Sequence, residues 1–361
     1  MLETSLELLK KIEKNGFECY IVGGFARDYY MKKKSCDVDI CTNAKPRDLM
    51  KIFDNATLPK EQYGALTLFY KGIRFEITTY RKEIKYINRK PIEIEYINDL
   101  YEDLTRRDFT INTLCINSKG EIKDILNGIY DINRKLIKVV GDANSKFKED
   151  PLRMLRAIRF ATQLNFKLDK SIIKGIKENA HVLNELSFQR KKDELNKIFA
   201  STNIKCGIKL ISDLGLDKYL NLNNMKNVKL TTDIIGIWAQ LDVLDIFPFT
   251  QLEKNNILKL NDIVKRNKID RYTLYKHGLY LCTIAAEIMG INRRNIIKME
   301  KKLSIHSKKD INISGDEICK LLNKEPGKWL GELYSDIELK IILSKLQNNN
   351  KKIKQYIIKN N

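Results

Sequence analysis

The segment YIVGGFARDYYMKKKSCDVDICT, residues 20–42, combines an apolar start, a Gly-Gly turn, a basic run and two aspartates separated by one residue. YIV predicts a β-strand, and Gly23 and Gly24 predict a turn in which backbone N–H groups can approach phosphate oxygens. In DVD, the two-residue repeat of a strand places Asp37 and Asp39 on one face. Neighbouring carboxylates repel each other unless a cation lies between them, so the pattern predicts a Mg²⁺–phosphate site. Two solvated aspartates at a strand end are the alternative.

A second predicted strand supplies a further carboxylate. In RFEITTYR, Arg74, Glu76 and Thr78 share one face, so Glu76 is a candidate third member of the acidic cluster. Arg27 follows the Gly-Gly turn and is a candidate phosphate ligand. Taken alone, the two glycines are equally compatible with an ordinary tight turn. Together with the arginine and the carboxylates, they predict a site for a triphosphate.

The composition points to a nucleic-acid partner. The chain has 361 residues, which predicts two or more domains, and its 66 Lys and Arg against 46 Asp and Glu give a net charge of +20. This excess favours a polyanionic partner, with nucleic acid ahead of a membrane surface, although a general Lys-, Ile- and Asn-rich composition is the alternative explanation.

Seven cysteines without a CxxC pair predict reduced thiols and a cytoplasmic protein. No apolar run approaches the ~20 residues of a membrane span.

The pattern of hydrophobic residues changes near residue 140. The first half opens with a predicted helix, MLETSLELLKKIEKNG, followed by strand-like runs in CYIVGG, DVDICT, ALTLFY, RFEITTYR, IEIEYI, TLCIN and LIKVV. The second half shows helical spacing, for example in DPLRMLRAIRFATQLNF and KDELNKIFAS. The chain therefore predicts an α+β fold, with a mixed-sheet domain before helical domains. The last segment, NNNKKIKQYIIKNN, is polar and basic and predicts a frayed tail.

Six segments resemble, in order and spacing, the motifs of class II CCA-adding tRNA nucleotidyltransferases and bacterial poly(A) polymerases: GGFARD, CDVDICTNAKP, FEITTYR, LTRRDFTIN, EDPLRMLRAIRFATQLNF and QRKKDELNKI. ISGDEICKLLNKEPGKWLGELYSDI is similar to the tail segment of that family. The resemblance implies a polymerase-β-like head domain over residues 1–140. It also implies an all-α neck over 141–204, a body over 205–304 and a tRNA-binding tail over 305–361.

The family adds C, C and A to the 3′ end of tRNA from CTP and ATP without a nucleic-acid template. By position, the resemblance implies that Asp37 and Asp39 bind Mg²⁺ and that Glu76 is the third catalytic carboxylate. It implies two-metal nucleotidyl transfer with release of pyrophosphate. The implied nucleotide-binding residues lie in the glycine turn, in RRDFTIN and on one predicted helix: Gly24, Arg27, Arg107, Asp150, Arg153, Arg156 and Arg159.

The predicted helix carries its arginines in a regular pattern. Arg153, Arg156 and Arg159 recur every three residues and cover one broad side, while residues such as Leu152 and Phe160 can pack elsewhere. A solvated basic face is the alternative for these arginines. The resemblance implies that Asp150 and Arg153 read the base, whereas an aspartate before a proline is also a common helix cap.

Two features depart from the family pattern, and several functions remain open. Gln189 stands where the family usually has an acidic residue, and MKKKSC replaces a glycine-bearing turn.

Poly(A) addition and partial addition of CC or A are the alternative activities within the family. The loop with Tyr86, Arg89 and Pro91 favours full CCA addition. A non-catalytic, basic RNA-binding protein is the alternative from another class. None of the three histidines is followed by Asp, so no phosphohydrolase motif is present.

Overall fold

The computed structural model describes residues 1–35, 37–60, 64–87 and 90–360. It contains two compact units, Met1–Leu220 and Asn221–Asn361. The predicted α+β organisation is confirmed, since the first unit carries a mixed sheet and the described part of the second is helical. Among the described residues, no helix is both long enough and apolar enough to cross a membrane.

The main sheet of the first unit has seven strands in the order β3-β4-β5-β2-β1-β8-β9. Strands β2 and β5 are parallel, and the other neighbouring strands of this sheet pair antiparallel. Two small sheets pair β6 with β7 and β10 with β11. The strand bounds are β1 Cys19–Val22, β2 Val38–Thr42, β3 Ala56–Lys60, β4 Ala65–Tyr70, β5 Ile73–Thr79, β6 Arg81–Ile87, β7 Lys90–Tyr96, β8 Cys115–Ile116, β9 Ile122–Lys123, β10 Leu136–Ile137 and β11 Lys167–Leu168.

All seven sequence-predicted strands are present, and β5 and the start of β2 show the alternation of buried and exposed side chains that the two-residue repeat requires. In β2, Val38 and Ile40 are buried while Asp39 is exposed. In β5, Phe75 and Ile77 are buried while Glu76 is exposed. The buried faces fix the register of the sheet, so the acidic side chains point away from the core.

The helices of the first unit flank the sheet and continue the chain beyond it. The predicted first helix and the predicted arginine-bearing helix are confirmed as α1 and α7. The helix bounds are α1 Leu2–Glu13, α2 Gly24–Tyr30, α3 Pro46–Ile52, α4 Leu100–Thr105, α5 Gly128–Asn133, α6 Ala143–Glu149, α7 Leu152–Leu164, α8 Lys170–Asn179, α9 Phe188–Phe199, α10 Ile204–Asp213 and α11 Asp217–Leu220.

The second unit consists of helices around its own hydrophobic clusters. The bounds are α12 Ile234–Ala239, α13 Gln251–Lys265, α14 Arg271–Met289, α15 Arg293–Glu300, α16 Gly315–Leu322, α17 Lys328–Ile342 and α18 Asn350–Asn360. The prediction of a frayed end is wrong, because the last segment forms α18. Ile353 and Ile357, one helical turn apart, are fully buried in a cluster that also includes Ile318 and Ile341.

Candidate active site

A cleft of about 640 Å³ in the first unit collects most of the sequence-predicted residues. One wall comes from the turn after β1 and from β2, and another from the start and exposed side of α7. Glu76 does not line the cleft but lies next to it. The predicted residues in the lining are Gly24, Arg27, Asp37, Asp39, Arg107, Asp150, Arg153, Arg156 and Arg159.

The acidic cluster is produced by strand register. In the parallel pairing of β2 with β5, Asp39 is the direct partner of Glu76. Asp37 lies two residues before Asp39, immediately ahead of β2. Asp39 is exposed on the strand face, but neighbouring cleft atoms desolvate its carboxyl, and this desolvation, followed by the negative charges of Glu76 and Asp37, raises its pKa, while Arg107 opposes the shift. The carboxylates therefore lie close enough to repel each other, as the sequence predicted.

The donor set fits a divalent cation that is shared with a phosphate ligand. Among the described residues, no three Asp, Glu, His or Cys side chains converge on a single point. Mg²⁺ usually takes one or two carboxylates from the protein and completes its shell with water and substrate phosphate oxygens. Asp37 and Asp39, with Glu76 beside them, satisfy that requirement without a complete protein cage.

Gly23 brings the main chain against this acidic cluster. Its φ of +80° lies in the region that favours glycine, and a Cβ at this position would lie 3.3 Å from Oδ2 of Asp39. A side chain would therefore strain the backbone and crowd the carboxylate. Gly24 follows as the first residue of α2, so the Gly-Gly pair turns the chain from β1 into the cleft.

Arg27 is held rigidly in the floor of the cleft. Its Nε and Nη2 lie 2.9 and 2.8 Å from Oδ1 of Asp28, and its Nη1 donates to Oδ1 of Asn112 at 2.8 Å. The residue is only 7% exposed. A guanidinium fixed on both sides loses little side-chain entropy when it binds an anion.

Arg107 is positioned by a buried aspartate. Asp103 is fully buried and accepts from Nε and Nη2 of Arg106 through Oδ1, and from Nη2 of Arg107 through Oδ2 at 3.1 Å. Nε of Arg107 is also buried and has no hydrogen-bond acceptor among the described residues. This donor is therefore available to a ligand in the cleft.

We expect Asp103→Asn to destabilise the protein at neutral pH. Burial raises the pKa of Asp103, but the charges of Arg106 and Arg107 outweigh this effect and hold the pKa below its ordinary value. A depressed carboxyl pKa stabilises the fold above the unfolded pKa of ~3.9, and this stabilisation is lost as the pH falls through the folded pKa. The substitution should lower the free energy of unfolding by about 2–4 kcal/mol near pH 7, measured by urea denaturation.

The difference between wild type and Asp103→Asn should shrink when the same titration is repeated in acid. Asp48→Asn is the matched control, because Asp48 forms a partly exposed pair with Lys51 at 3.4 Å. This control should change stability by less than about 1 kcal/mol. A loss that was equally large in acid would show that poorer packing, rather than the charge of Asp103, explains the effect.

The arginines of α7 are not a solvated basic face. Their side chains are 12%, 33% and 12% exposed for Arg153, Arg156 and Arg159, and each is paired with its own carboxylate. Arg153 donates to Glu149 at 2.6 Å, Arg156 to Asp108 at 2.6 and 2.8 Å, and Arg159 to Glu194 at 2.7 Å. These ion pairs fix the positions of the three arginine side chains in the cleft lining.

Two apolar residues of α7 lie closer to the cleft than the sequence predicted. Leu152 is half-buried in its lining, and Phe160 is buried while its ring faces three guanidinium groups. The guanidinium carbons of Arg27, Arg156 and Arg159 lie 5.4, 5.6 and 4.1 Å from the ring centroid. Phe160 therefore supports the arginines through cation–π contacts rather than packing away from them.

Asp150 caps α7 and also contacts an arginine of the cleft. Its Oδ1 accepts the backbone N–H of Leu152 at 3.1 Å, which caps the start of α7. Its Oδ2 accepts from Nη2 of Arg190 at 3.0 Å, and both residues line the cleft. The cap and a cleft-facing role are therefore compatible.

Several cleft residues were not singled out from the sequence. Asp28, Asp108 and Asn112 hold the arginines described above, and Arg190 holds Asp150. All four lie within the segments that resemble the family motifs, so this resemblance could have identified them. Gln189 is exposed and donates to Asp193 at 2.8 Å, away from the cleft lining.

The loop that favours full CCA addition corresponds to the β6–β7 hairpin. Its two strands pair antiparallel, with Tyr86 opposite Pro91 in the backbone register. Arg89 lies outside the described residues. The inference from this loop therefore stays a prediction.

Matches to known families define the class of protein. Residues 19–138 match the Poly A polymerase head domain, and residues 165–223 match the probable RNA and SrmB-binding site of polymerase A. Residues 239–357 match the putative tRNA nucleotidyltransferase domain 2. With the acidic cluster on the central strands β2 and β5, these matches define the chain as a nucleotidyltransferase.

Comparison with whole proteins narrows the class to one family. The chain is 31% identical to a CCA-adding enzyme of Ligilactobacillus salivarius, over 99% of this chain and 95% of the relative. It is 30% identical to one of Staphylococcus haemolyticus, over 98% and 96%. The crystal structure of the Bacillus stearothermophilus CCA-adding enzyme in complex with CTP superposes with a TM-score of 0.84 at 25% identity, over 99% and 96% of the two chains. The chain belongs to the family of CCA-adding enzymes.

Proposed function

We propose that this protein adds C, C and A to the 3′ end of tRNA, taking the nucleotides from CTP and ATP and releasing pyrophosphate without a nucleic-acid template. The observation that carries the proposal is the cleft itself. It combines an acidic cluster for a metal-bound triphosphate, two fixed arginines for phosphate oxygens, and the Asp150–Arg153 pair at the start of α7. Membership of the CCA-adding family and the CTP complex of a relative support the same assignment.

The phosphate half of the site would use Asp37 and Asp39 as the metal-binding carboxylates, with Glu76 beside them as the third catalytic carboxylate. A bound divalent cation would lower the pKa of the tRNA 3′-hydroxyl and neutralise charge on the triphosphate. Arg27 and Arg107 would hold the triphosphate in line with the hydroxyl. Because both guanidiniums are already fixed, they would stabilise the charge that builds on the departing pyrophosphate at little entropic cost.

The base half of the site would use α7. An ionised Asp150 accepts hydrogen bonds and Arg153 donates them, which complements the amino group and ring nitrogen shared by cytosine and adenine. Arg190 pairs with Asp150 and Glu149 pairs with Arg153, so both side chains are oriented before any nucleotide binds. The domain limits at residues 140, 204 and 304 and the cytoplasmic location remain predictions alongside this proposal.

The direct test is incorporation of single nucleotides into tRNA that lacks its 3′ end. The purified protein is incubated with Mg²⁺ and with each labelled nucleoside triphosphate separately, and then with CTP and ATP together. We expect addition of C, C and A in that order and then arrest. Continued addition of A would indicate a poly(A) polymerase, arrest after CC or addition of A alone would indicate a partial enzyme, and binding without incorporation would indicate a non-catalytic protein.

A further inference from the structure

The side-chain amide of Asn112 joins the two halves of the cleft. Its Oδ1 accepts from Nη1 of Arg27 at 2.8 Å, and its Nδ2 donates to Oδ1 of Asp108 at 3.3 Å. Asp108 in turn accepts from Nε and Nη2 of Arg156 through Oδ2, at 2.8 and 2.6 Å. A continuous chain of hydrogen bonds therefore runs from an arginine of α2 to an arginine of α7. We call this chain the amide bridge.

The amide bridge is shielded from water. Asn112 and Arg27 are each 7% exposed, and the side chain of Asp108 is 12% exposed. Burial raises the pKa of Asp108, but the charge of Arg156 and the hydrogen bonds from Arg156 and Asn112 outweigh this effect and hold the pKa below its ordinary value. Hydrogen bonds to ionised groups are strong in such a poorly solvated site and polarise one another. A displacement of one guanidinium therefore strains the bonds that lead to the other.

Neither arginine depends on Asn112 for its own ion pair. Arg27 keeps its contacts with Asp28, at 2.9 and 2.8 Å, without any help from the amide. Arg156 likewise keeps both of its contacts with Asp108. What Asn112 adds is the connection between the two ion pairs.

The ring of Phe160 joins the same two arginines by a different contact. The guanidinium carbons of Arg27 and Arg156 lie 5.4 and 5.6 Å from its centroid. Phe160 belongs to α7, whereas Arg27 belongs to α2, so the ring packs the phosphate-side arginine directly against the helix that carries the candidate base-reading residues. The hydrogen bonds and the ring together fix the distance between α2 and α7.

We propose that Asn112 is a positioning residue that sets the place of α7 relative to a bound triphosphate and thereby contributes to the selection of the base. This inference rests on the proposed function, in which Arg27 holds phosphate oxygens while Asp150 and Arg153 read the base. A nucleotide fixes the distance between its own triphosphate and its base. Discrimination among bases therefore requires the groups at the start of α7 to lie at the matching distance from Arg27. The amide bridge holds that distance before the nucleotide binds.

The test compares the wild type with Asn112→Leu, which keeps the approximate size of the side chain and removes both of its hydrogen bonds. The kcat and KM of CTP and UTP are measured with tRNA that lacks its 3′ end, and those of ATP and GTP with tRNA that ends in CC. We expect the preference for CTP over UTP, and for ATP over GTP, to fall on the order of tenfold in kcat/KM, because a displaced α7 no longer meets the pairing edge of the base. The loss should appear chiefly as a higher KM for CTP and ATP, since the acidic cluster is unchanged.

Asn179→Leu is the matched control, because Asn179 is a buried asparagine of the same unit outside the cleft lining. It is 3% exposed, and its Nδ2 donates to Oδ1 of Asn144 at 2.8 Å and to the carbonyl of Gly175 at 2.9 Å. Both variants should have lower melting temperatures than the wild type, but only Asn112→Leu should lose base preference. Unchanged base preference in Asn112→Leu, or an equal loss of activity toward all four nucleotides, would overturn the proposal and leave Asn112 with a structural role alone.

Asn112→Asp provides a second test that does not depend on a leucine being tolerated. The carboxylate still accepts from Arg27 but repels Asp108, so base preference should again fall. Adding Asp108→Asn restores a donor and an acceptor along the amide bridge and should recover part of the preference. Recovery is incomplete because the N–H of Phe109, which donates to Oδ1 of Asp108 at 2.8 Å, meets the new amide group.

Absence of any recovery in this exchanged pair would contradict the positioning role of Asn112. The result for the wild type separates this inference from the proposed function. A wild type that incorporated neither CTP nor ATP would refute the proposed function and the positioning role with it. An active wild type whose base preference survived Asn112→Leu would refute the positioning role alone.

Discussion

Replacing Asp39 with Asn should abolish the incorporation of both CTP and ATP while making the metal-free protein more stable. The side chain keeps its size, so the contact with Gly23 is preserved, but the charge that would bind the metal is removed. We expect a loss on the order of 1,000-fold or more in kcat, equal for the two nucleotides, because one acidic cluster would serve every round of addition. Asp37→Asn should lose the incorporation of both nucleotides to a similar extent.

The stability change follows from the sign of the pKa shift. The pKa of Asp39 is raised by desolvation and by the charges of Glu76 and Asp37, so the ionised side chain weakens the folded state. A carboxyl whose pKa is raised in the folded state destabilises the fold when it ionises, so stability falls as the pH rises through that pKa. The amide of Asn does not ionise and therefore avoids this loss of stability. The melting temperature of Asp39→Asn in EDTA should therefore exceed that of the wild type near neutral pH.

Asp54→Asn, at an exposed aspartate outside the cleft, controls for the loss of one negative charge. This control should leave activity unchanged, and both variants should bind tRNA as the wild type does. A variant of Asp39 that lost ATP incorporation but kept CTP incorporation would refute a shared acidic cluster. A lower melting temperature in EDTA would refute the proposed repulsion.

The acidic half of the cleft could be predicted because its geometry is local. The alternation of Val38, Asp39 and Ile40 fixes which face is acidic, and the matching alternation in FEI places Glu76 on the same kind of face. Only the parallel pairing of β2 with β5 was needed to bring them together. The glycine turn could also be predicted from the sequence, since the positive φ of Gly23 is a conformation that favours glycine.

The pairing of the arginines could not be predicted from the pattern. Arg190 reaches Asp150 across 40 residues, and Arg156 reaches Asp108 across 48. Such contacts depend on how α7 packs against α9 and against the loop after α4, and hydrophobic periodicity carries no information on that packing. The role of Phe160 was missed for the same reason, because its burial is typical of a core residue.

Base choice should depend on the Asp150–Arg153 pair, and the structure changes how that dependence must be tested. Exchanging the two residues alone would place a new arginine against Arg190 and a new aspartate against Glu149. Like charges at about 3 Å would displace both side chains, so loss of activity would say nothing about base choice. A usable exchange must invert both supporting ion pairs as well.

The matched variant therefore combines Asp150→Arg and Arg153→Asp with Arg190→Glu and Glu149→Arg. On their pairing edges, cytosine and adenine present an amino donor beside a ring-nitrogen acceptor, whereas uracil and guanine present a carbonyl acceptor beside an N–H donor. The inverted pair should favour UTP and GTP over CTP and ATP. A bidentate contact discriminates by roughly 1–3 kcal/mol, which is about 5- to 150-fold in relative incorporation of the four nucleotides.

Asp150→Asn separates this interpretation from simple helix capping. Asparagine still accepts the N–H of Leu152, so the capping role is retained and α7 should begin at the same residue. If capping is the whole role of Asp150, base choice stays normal in this variant. If Asp150 reads the base, the amide can donate as well as accept, and UTP and GTP should compete better than in the wild type.

Arg190→Gln should shift base choice in the same direction but less, because it loosens the orientation of Asp150 without changing its chemistry. An inverted variant that folded, bound tRNA and still preferred CTP and ATP would refute the reading of bases by this pair.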